Sequence, residues 1–216
     1  MKQSQQKGIS LFIALIALAI MSLAAVGLIR TMDTGVVAIG NIGFQQVATR
    51  AADRGIEQAI NWLNTNKATN SCSGGPTLNC NSETNGYYAS YGGDTLDPTG
   101  SKDSDKTRTL IDWKGNDCAD EGSYASCLTP SNAISIDGQE IRYFITRLCR
   151  LSGSTSGSGN ACVWSTSGAA DESSKRGELR YDERRFTSSL SPNYRIIVYV
   201  RGTRNTVSVT ETLMHF

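Results

Sequence analysis

An uncharged apolar run near the start of the sequence limits what this chain can fold into. The run extends from Ile9 to Ile29 without a charged side chain, and Lys2 and Lys7 precede it. About 20 apolar residues are enough for a helix that crosses a bilayer. Because basic residues favour the cytoplasmic side, we expect a membrane-spanning helix with the N-terminus in the cytoplasm and the rest of the chain outside.

A cleaved secretory signal is the alternative interpretation of the same run. Ser22–Leu23–Ala24 offers a small-x-small cleavage site, and cleavage there would make the mature chain begin near Ala25. However, the apolar core of a signal peptide is about 7–15 residues long, which is shorter than this run. Helical spacing of apolar residues also continues beyond the run. We therefore expect the apolar run to remain on the mature chain.

The sequence after the run predicts an extension of the same helix, with one apolar face and one polar face. Apolar residues recur there mostly at steps of three and four, at Ile42, Phe44, Val47, Ala48, Ala51, Ala52, Ile56, Ala59, Ile60 and Leu63. One helix is therefore predicted from Ile9 to about Asn64. Glycines in its middle, each of which costs about 1 kcal/mol relative to alanine, predict softening or partial melting near residues 33–43; they are Gly27, Gly35, Gly40 and Gly43.

This arrangement resembles the type IV pilins, in which a short basic leader ends in glycine before an apolar helix. Here the leader is MKQSQQKG, residues 1–8, and it ends at Gly8. The resemblance implies that a prepilin peptidase cuts after Gly8 on the cytoplasmic side, and that the new N-terminus, Ile9, is N-methylated. Glycine suits such a site because it lets the backbone enter a peptidase cleft without a side-chain clash.

Three features resemble the PilX-type minor pilins in particular. The fifth mature position, where major pilins usually carry glutamate, is Ile13. FQQVATRAADRGIEQAI (Phe44–Ile60) is similar to the family's post-membrane helix, and YRIIVYVRGTRNTVSVTETLMHF (Tyr194–Phe216) is similar to its C-terminal ending. The K-type minor pseudopilins of type II secretion also lack the glutamate, so they remain an alternative.

The resemblance implies a subunit that helps to initiate pilus assembly or forms part of the tip complex. Its partners would be other minor and major pilins, the prepilin peptidase and the inner-membrane pilus assembly machinery. It would cross the inner membrane once, with its C-terminus in the periplasm, and would then reach the pilus and the cell surface, where pili serve in cell adhesion. The implied segments are a leader (1–8), a transmembrane and fibre-core helix (9–30), an amphipathic helix (31–65) and a globular domain (66–216).

Six cysteines follow the apolar run, and their even number after an export signal predicts disulfide bonds in an oxidising compartment. Six cysteines allow about fifteen pairings. We predict the sequential one, in which each bond closes a short polar loop: Cys72–Cys80, Cys118–Cys127 and Cys149–Cys162. An exported, membrane-anchored, disulfide-rich binding protein is therefore a further alternative.

The globular domain is predicted to contain an antiparallel sheet. Two β-rich runs flank Asp137–Gly138, which predicts a hairpin. Two more strands are predicted at residues 193–201 and 205–214, whereas residues 66–130 look loop-rich with a short strand at Thr107–Trp113. The expected fold class is α+β and pilin-like, with the amphipathic half of the helix packed on the sheet.

Neither catalysis nor a cofactor is predicted. Nucleophile-elbow, zinc-protease and phosphate-loop motifs are missing from the sequence, and His215 has no motif around it. A calcium loop beginning at Asp103 would need glycine and glutamate where Arg108 and Lys114 stand. We therefore expect no metal, and we expect the aspartates of this region to form a solvated acidic loop; they are Asp94, Asp97, Asp103 and Asp105. The net charge of +1 gives no electrostatic basis for binding nucleic acid.

Overall fold

The first helix is as long as the sequence predicts. The structure, a computed structural model, describes residues 9–67, 77–90, 93, 95–102, 105–170 and 186–215. Helix α1 is Ile9–Asn66, 58 residues. The partial melting considered for residues 33–43 is not observed, because α1 is continuous there. A helix propagates cooperatively once formed, and the isolated glycines do not interrupt it. The chain divides into two compact units, Met1–Gln46 and Val47–Phe216.

All strands of the described residues lie in the second unit. They are β1 (Tyr87–Tyr88), β2 (Leu96–Asp97), β3 (Thr109–Ile111), β4 (Ser126–Leu128), β5 (Ile134–Ile136), β6 (Gln139–Arg147), β7 (Trp164–Ala170), β8 (Phe186–Pro192), β9 (Tyr194–Arg201) and β10 (Val207–Met214). A 3-10 turn, Thr203–Asn205, joins β9 to β10. This confirms the α+β class, the hairpin of β5 and β6 and the two last strands.

The main sheet has the order β1-β6-β9-β10, with β5 pairing beside β1 on the outer side of β6. The β5–β6, β6–β9 and β9–β10 pairs are antiparallel as predicted. Strand β1 is parallel to β6, with Tyr87 opposite Ile145. Strands β2, β3 and β4 form a small parallel sheet, and β7 and β8 form a separate two-stranded hairpin.

One face of the main sheet packs against the second part of α1. Alternate residues of β6 and β9, among them Ile141, Ile145, Ile196 and Val198, are fully buried there. The helix presents small buried residues to them, with Leu63 as the largest: Ala48, Ala51, Ala52, Ala59 and Leu63. The predicted apolar stripe is therefore the packing face of α1 from Ala48 onward, whereas its first member, Ile42, is exposed.

The other face of the main sheet is also covered, which the sequence did not predict. Phe144 and Ile197, which point away from the helix, pack with a second apolar cluster that includes Tyr88, Leu96, Ile111 and Trp113. The described part of residues 66–130 is loop-rich as expected, and the short strand predicted at Thr107–Trp113 is observed as β3. Strands β2, β3 and β4 and the aromatic side chains near them nevertheless form a second layer over the sheet, and the Trp113 ring stacks on Tyr199 at 5.2 Å.

Two buried arginines tie the loops to these layers. Arg147 of β6 donates to the backbone C=O groups of Leu78 and Ala89 on one side and of Gly153 on the other, at 2.7–3.0 Å. Arg108 donates to the C=O groups of Gly100, Glu121 and Ser123. Backbone carbonyls that would otherwise be unsatisfied in the interior thus receive charged donors, and each arginine fixes loops that are distant in sequence.

Candidate functional site: the exposed apolar part of the first helix

The first part of α1 exposes an unusually large apolar surface. Every leucine, isoleucine, valine, methionine and phenylalanine from Leu11 to Ile42 is 45–74% exposed. Burying one such side chain is worth about 1.5–3 kcal/mol, so the whole surface represents a driving force on the order of tens of kcal/mol. Contiguous apolar patches larger than a few hundred Å² mark sites of membrane or protein interaction. This surface is the candidate functional site.

Two hydroxyl groups within this surface are hydrogen-bonded to the helix itself. The Ser22 hydroxyl donates to the Ala19 C=O and the Thr31 hydroxyl to the Leu28 C=O, both at 2.8 Å. Such internal bonds let a hydroxyl enter an apolar environment without losing a hydrogen bond. By length and composition α1 can cross a membrane, since its most apolar window has a mean hydropathy of 2.8.

The exposed apolar surface is longer than a bilayer requires. The uncharged run from Ile9 to Ile29 covers roughly 30 Å at about 1.5 Å per residue, which matches the hydrocarbon core. After Arg30, however, large apolar side chains continue with 54–71% exposure for about 20 Å more; they are Met32, Val36, Val37, Ile39 and Ile42. The two segments together are therefore longer than the hydrocarbon core of a bilayer is thick.

The predicted processing site is only partly within the described residues. Ile9, the predicted first mature residue, is also the first residue of α1, whereas Gly8 lies outside the described part of the chain. Ile13, at the position where the resemblance to major pilins would imply a glutamate, is 60% exposed on the helix surface. The apolar surface around Ile13 therefore contains no carboxylate that could pair with a neighbouring N-terminus.

The disulfides of the second unit tie down its polar loops. Cys118 is bonded to Cys127 and Cys149 to Cys162, which are two of the sequential pairs. Cys80 is also in a disulfide, and its predicted partner, Cys72, lies outside the described residues. The Cys149–Cys162 bond joins two residues that face each other across an antiparallel bridge. It closes the loop whose Gly153 C=O accepts from Arg147.

Asp97, one of the aspartates expected in a solvated loop, is instead buried. Its carboxylate accepts the backbone N–H groups of Ser101 and Lys102 and pairs with Arg108 at 3.4 Å. Burial by itself would raise the pKa of Asp97, but these N–H groups and the Arg108 guanidinium outweigh it and lower that pKa. Asp105 accepts from Thr107, and Asp94 and Asp103 lie outside the described residues. Asp97 is thus a structural carboxylate.

Arg108 and Arg147 are the two important residues that the sequence did not reveal. Each is only 1% exposed. The one available signal was the position of Arg147, which alternates with Ile141, Tyr143 and Ile145 on the core face of a predicted strand.

Burial raises the pKa of Tyr87, which lies in the same core as Arg147, and outweighs the opposite effect of that guanidinium. Within the described residues, no group of acidic, histidine or cysteine side chains is arranged to hold a metal ion.

Comparison of the chain with protein-family models, with curated proteins and with solved structures found no match.

Proposed function

We propose that this chain is a minor subunit of a type IV pilus, of the PilX type, which helps to initiate assembly or forms part of the tip complex. The observation that carries the proposal is the exposed apolar surface of α1, which continues from Leu11 to Ile42 and exceeds the thickness of a bilayer. A simple membrane anchor has no use for the part beyond Arg30, whereas a subunit that packs its helix against sister helices does.

The physical mechanism is transfer of a helix between two apolar environments. Lipid first shields the Ile9–Ile29 segment in the inner membrane, where the subunit awaits assembly. In the fibre the same segment is shielded by the helices of other pilins, which also cover the apolar residues from Met32 to Ile42. Because lipid and protein are both apolar, close packing rather than the hydrophobic effect stabilises the helix contacts. The neutral side chain of Ile13 suits a subunit at the tip. Such a subunit has no earlier neighbour, so it has no N-terminal amino group to pair with a glutamate.

The N-terminus of the mature protein tests the processing step. Mass spectrometry of the protein purified from cells with a prepilin peptidase should find a chain that begins with methylated Ile9. Gly8→Val should block this trimming because its branched side chain does not fit where glycine does. Gly27→Val is the matched control, because a side chain added at Gly27 meets nothing within 4 Å. A mature chain that begins near Ala25, or an intact Met1, would refute the proposal.

A substitution beyond the bilayer tests the assembly step. Ile39 is 71% exposed, and Ile39→Lys should leave membrane insertion and trimming unchanged but reduce the amount of subunit in sheared fibres at least tenfold. Gln46→Lys, at an exposed polar position of the same helix, should have no such effect. Equal incorporation of both variants would contradict the idea that sister helices cover the second apolar segment.

A minor pseudopilin of type II secretion would be trimmed in the same way, so processing does not separate the two machines. A deletion strain does, when scored for surface pili and for secreted enzymes. Loss of pili with normal secretion is expected; loss of secretion with normal pili would assign the chain to the pseudopilus instead.

A further inference from the structure

Strand β10 forms the edge of the main sheet. In the order β1-β6-β9-β10, it pairs with β9 along its whole length, from Val207 opposite Arg201 to Met214 opposite Tyr194. Among the described residues no strand pairs with its other side. Eight residues of ladder-forming backbone therefore lie along an open edge, which is the kind of edge that accepts a further strand.

The hydrogen bonds around β9 show which groups of β10 face outward. The Leu148 N–H donates to the Asn193 C=O on the β6 side, and the Gly202 N–H donates to the Thr206 C=O on the β10 side. Since backbone groups alternate between the two sides of an antiparallel strand, even-numbered residues of β10 bond to β9. The N–H and C=O groups of Val207, Val209, Glu211 and Leu213 point away from the sheet.

This edge lacks the features that usually prevent edge pairing. Exposed edges are commonly protected by lysine, proline, bulges or short strands, and VSVTETLM contains neither lysine nor proline. Its one charged residue, Glu211, accepts two hydrogen bonds from Arg195 of β9 at 2.7 and 2.8 Å. That charge is therefore balanced within the sheet. Near the two ends of the strand, Val207 and Leu213 are 55% and 64% exposed.

We propose that β10 pairs antiparallel with β10 of a second copy of this chain, around a two-fold axis at Thr210. To form hydrogen bonds between the copies, odd-numbered residues of one β10, whose backbone groups point outward, must lie opposite odd-numbered residues of the other. Two registers meet this condition and pair most of the strand. The register centred on Glu211 sets two glutamates directly against each other, which is destabilising. The register centred on Thr210 sets Val207 of each copy against Leu213 of the other, and Val209 against Glu211.

The strand is self-complementary in this register, which is why the occupant is a second copy. Val207 and Leu213 lie three residues before and three residues after Thr210, so a two-fold axis there covers both exposed apolar side chains of each copy. Two-fold interfaces have this property, since the same patch serves both subunits. The inference concerns only the second unit and does not depend on the pilin proposal.

Cysteine cross-linking of the full-length chain in detergent tests the register. The two copies of Thr210 form a non-hydrogen-bonded pair, whose Cα atoms lie about 4.5 Å apart, within the range for a disulfide. Thr210→Cys should therefore give a disulfide dimer upon mild oxidation. Ser208→Cys and Thr212→Cys should each give little dimer alone but should cross-link when mixed, because Ser208 lies opposite Thr212. Equal cross-linking of all single variants, or attachment of Thr210→Cys to a different protein, would overturn the proposal.

An experiment with complementary charged substitutions distinguishes strand pairing from association through the apolar helix. Val207→Lys should weaken dimerisation at least tenfold in sedimentation equilibrium. Val163→Lys, the same change at a residue with the same 55% exposure outside β10, should not. Adding Leu213→Glu to Val207→Lys should restore the dimer at low salt, because each new lysine meets a new glutamate of the other copy. Failure of this rescue, or equal behaviour of the two lysine variants, would show that β10 is not the interface.

Discussion

Gly55 marks a close approach between α1 and the main sheet, and Gly55→Ala gives a sharp test of the packing. A Cβ atom at this position would lie 2.6 Å from Cγ1 of Val198 and 2.7 Å from Cγ2 of Ile141. Carbon atoms in contact are normally about 3.5–4.0 Å apart. Both neighbours are β-branched and fully buried, so neither side chain can rotate away easily. Relief requires the helix and the sheet to separate.

Two effects of opposite sign decide the outcome. Alanine favours the helix by about 0.5–1 kcal/mol relative to glycine. Inserting an extra methyl group into a well-packed core costs about 1–3 kcal/mol, and contacts this short at two stiff side chains place the cost in the upper part of that range. The net destabilisation should be about 1–2 kcal/mol, which lowers the melting temperature by roughly 2–8 °C for a unit of this size.

Thermal unfolding of the second unit, followed by near-ultraviolet circular dichroism of the full chain in detergent, measures this effect. Gly40→Ala is the matched control, because it is the same change in the same helix but meets nothing within 4 Å. It should leave the melting temperature unchanged or raise it. A Gly55→Ala protein that melts at or above the wild-type temperature would refute the close approach of helix and sheet.

Two further predictions concern the buried ions. Arg147→Lys keeps the charge but loses the planar fork that reaches several carbonyls, so the free energy of unfolding should fall by about 2–3 kcal/mol, as measured by urea denaturation; an unchanged midpoint would contradict the role of Arg147. Asp97→Asn should destabilise the protein at pH 7 by about 1–3 kcal/mol. Because the folded protein lowers the pKa of Asp97, this contribution is complete above its ordinary value of 3.8 and disappears as the pH falls below it. The two proteins should therefore converge in stability in acid, and a constant difference would contradict the assignment.

The elements that the sequence predicted well are those with local signals. A long helix follows from apolar periodicity, and the β5–β6 hairpin follows from Asp137–Gly138, whose φ angles are +50° and +75°. Glycine adopts such a conformation without strain and aspartate tolerates it. In these cases a few neighbouring residues carry the information, so no knowledge of distant contacts was needed.

Apart from β3, the second layer was missed because its stability comes from contacts between distant segments. Strands β2, β3 and β4 have only two or three residues each, too few to show an alternating pattern in sequence. Arg108, which lies directly before β3, orders them by donating to the C=O groups of Gly100 and Ser123 in two loops that are distant in sequence. A parallel strand such as β1 likewise has no hairpin signal that marks its partner. The close approach at Gly55 was invisible for the same reason, since it depends on residues of β6 and β9.

The covered faces of the main sheet bear directly on the exposed helix surface. One face is occupied by α1 from Ala48 onward, and the other by the layer that contains Trp113. The described part of the sheet therefore has no free apolar face to offer, while every large apolar side chain from Leu11 to Ile42 remains exposed. By the usual scale, that surface represents tens of kcal/mol of apolar burial that the described residues do not provide. In the function proposed above, lipid covers one bilayer thickness of it and the helices of sister subunits cover the remainder.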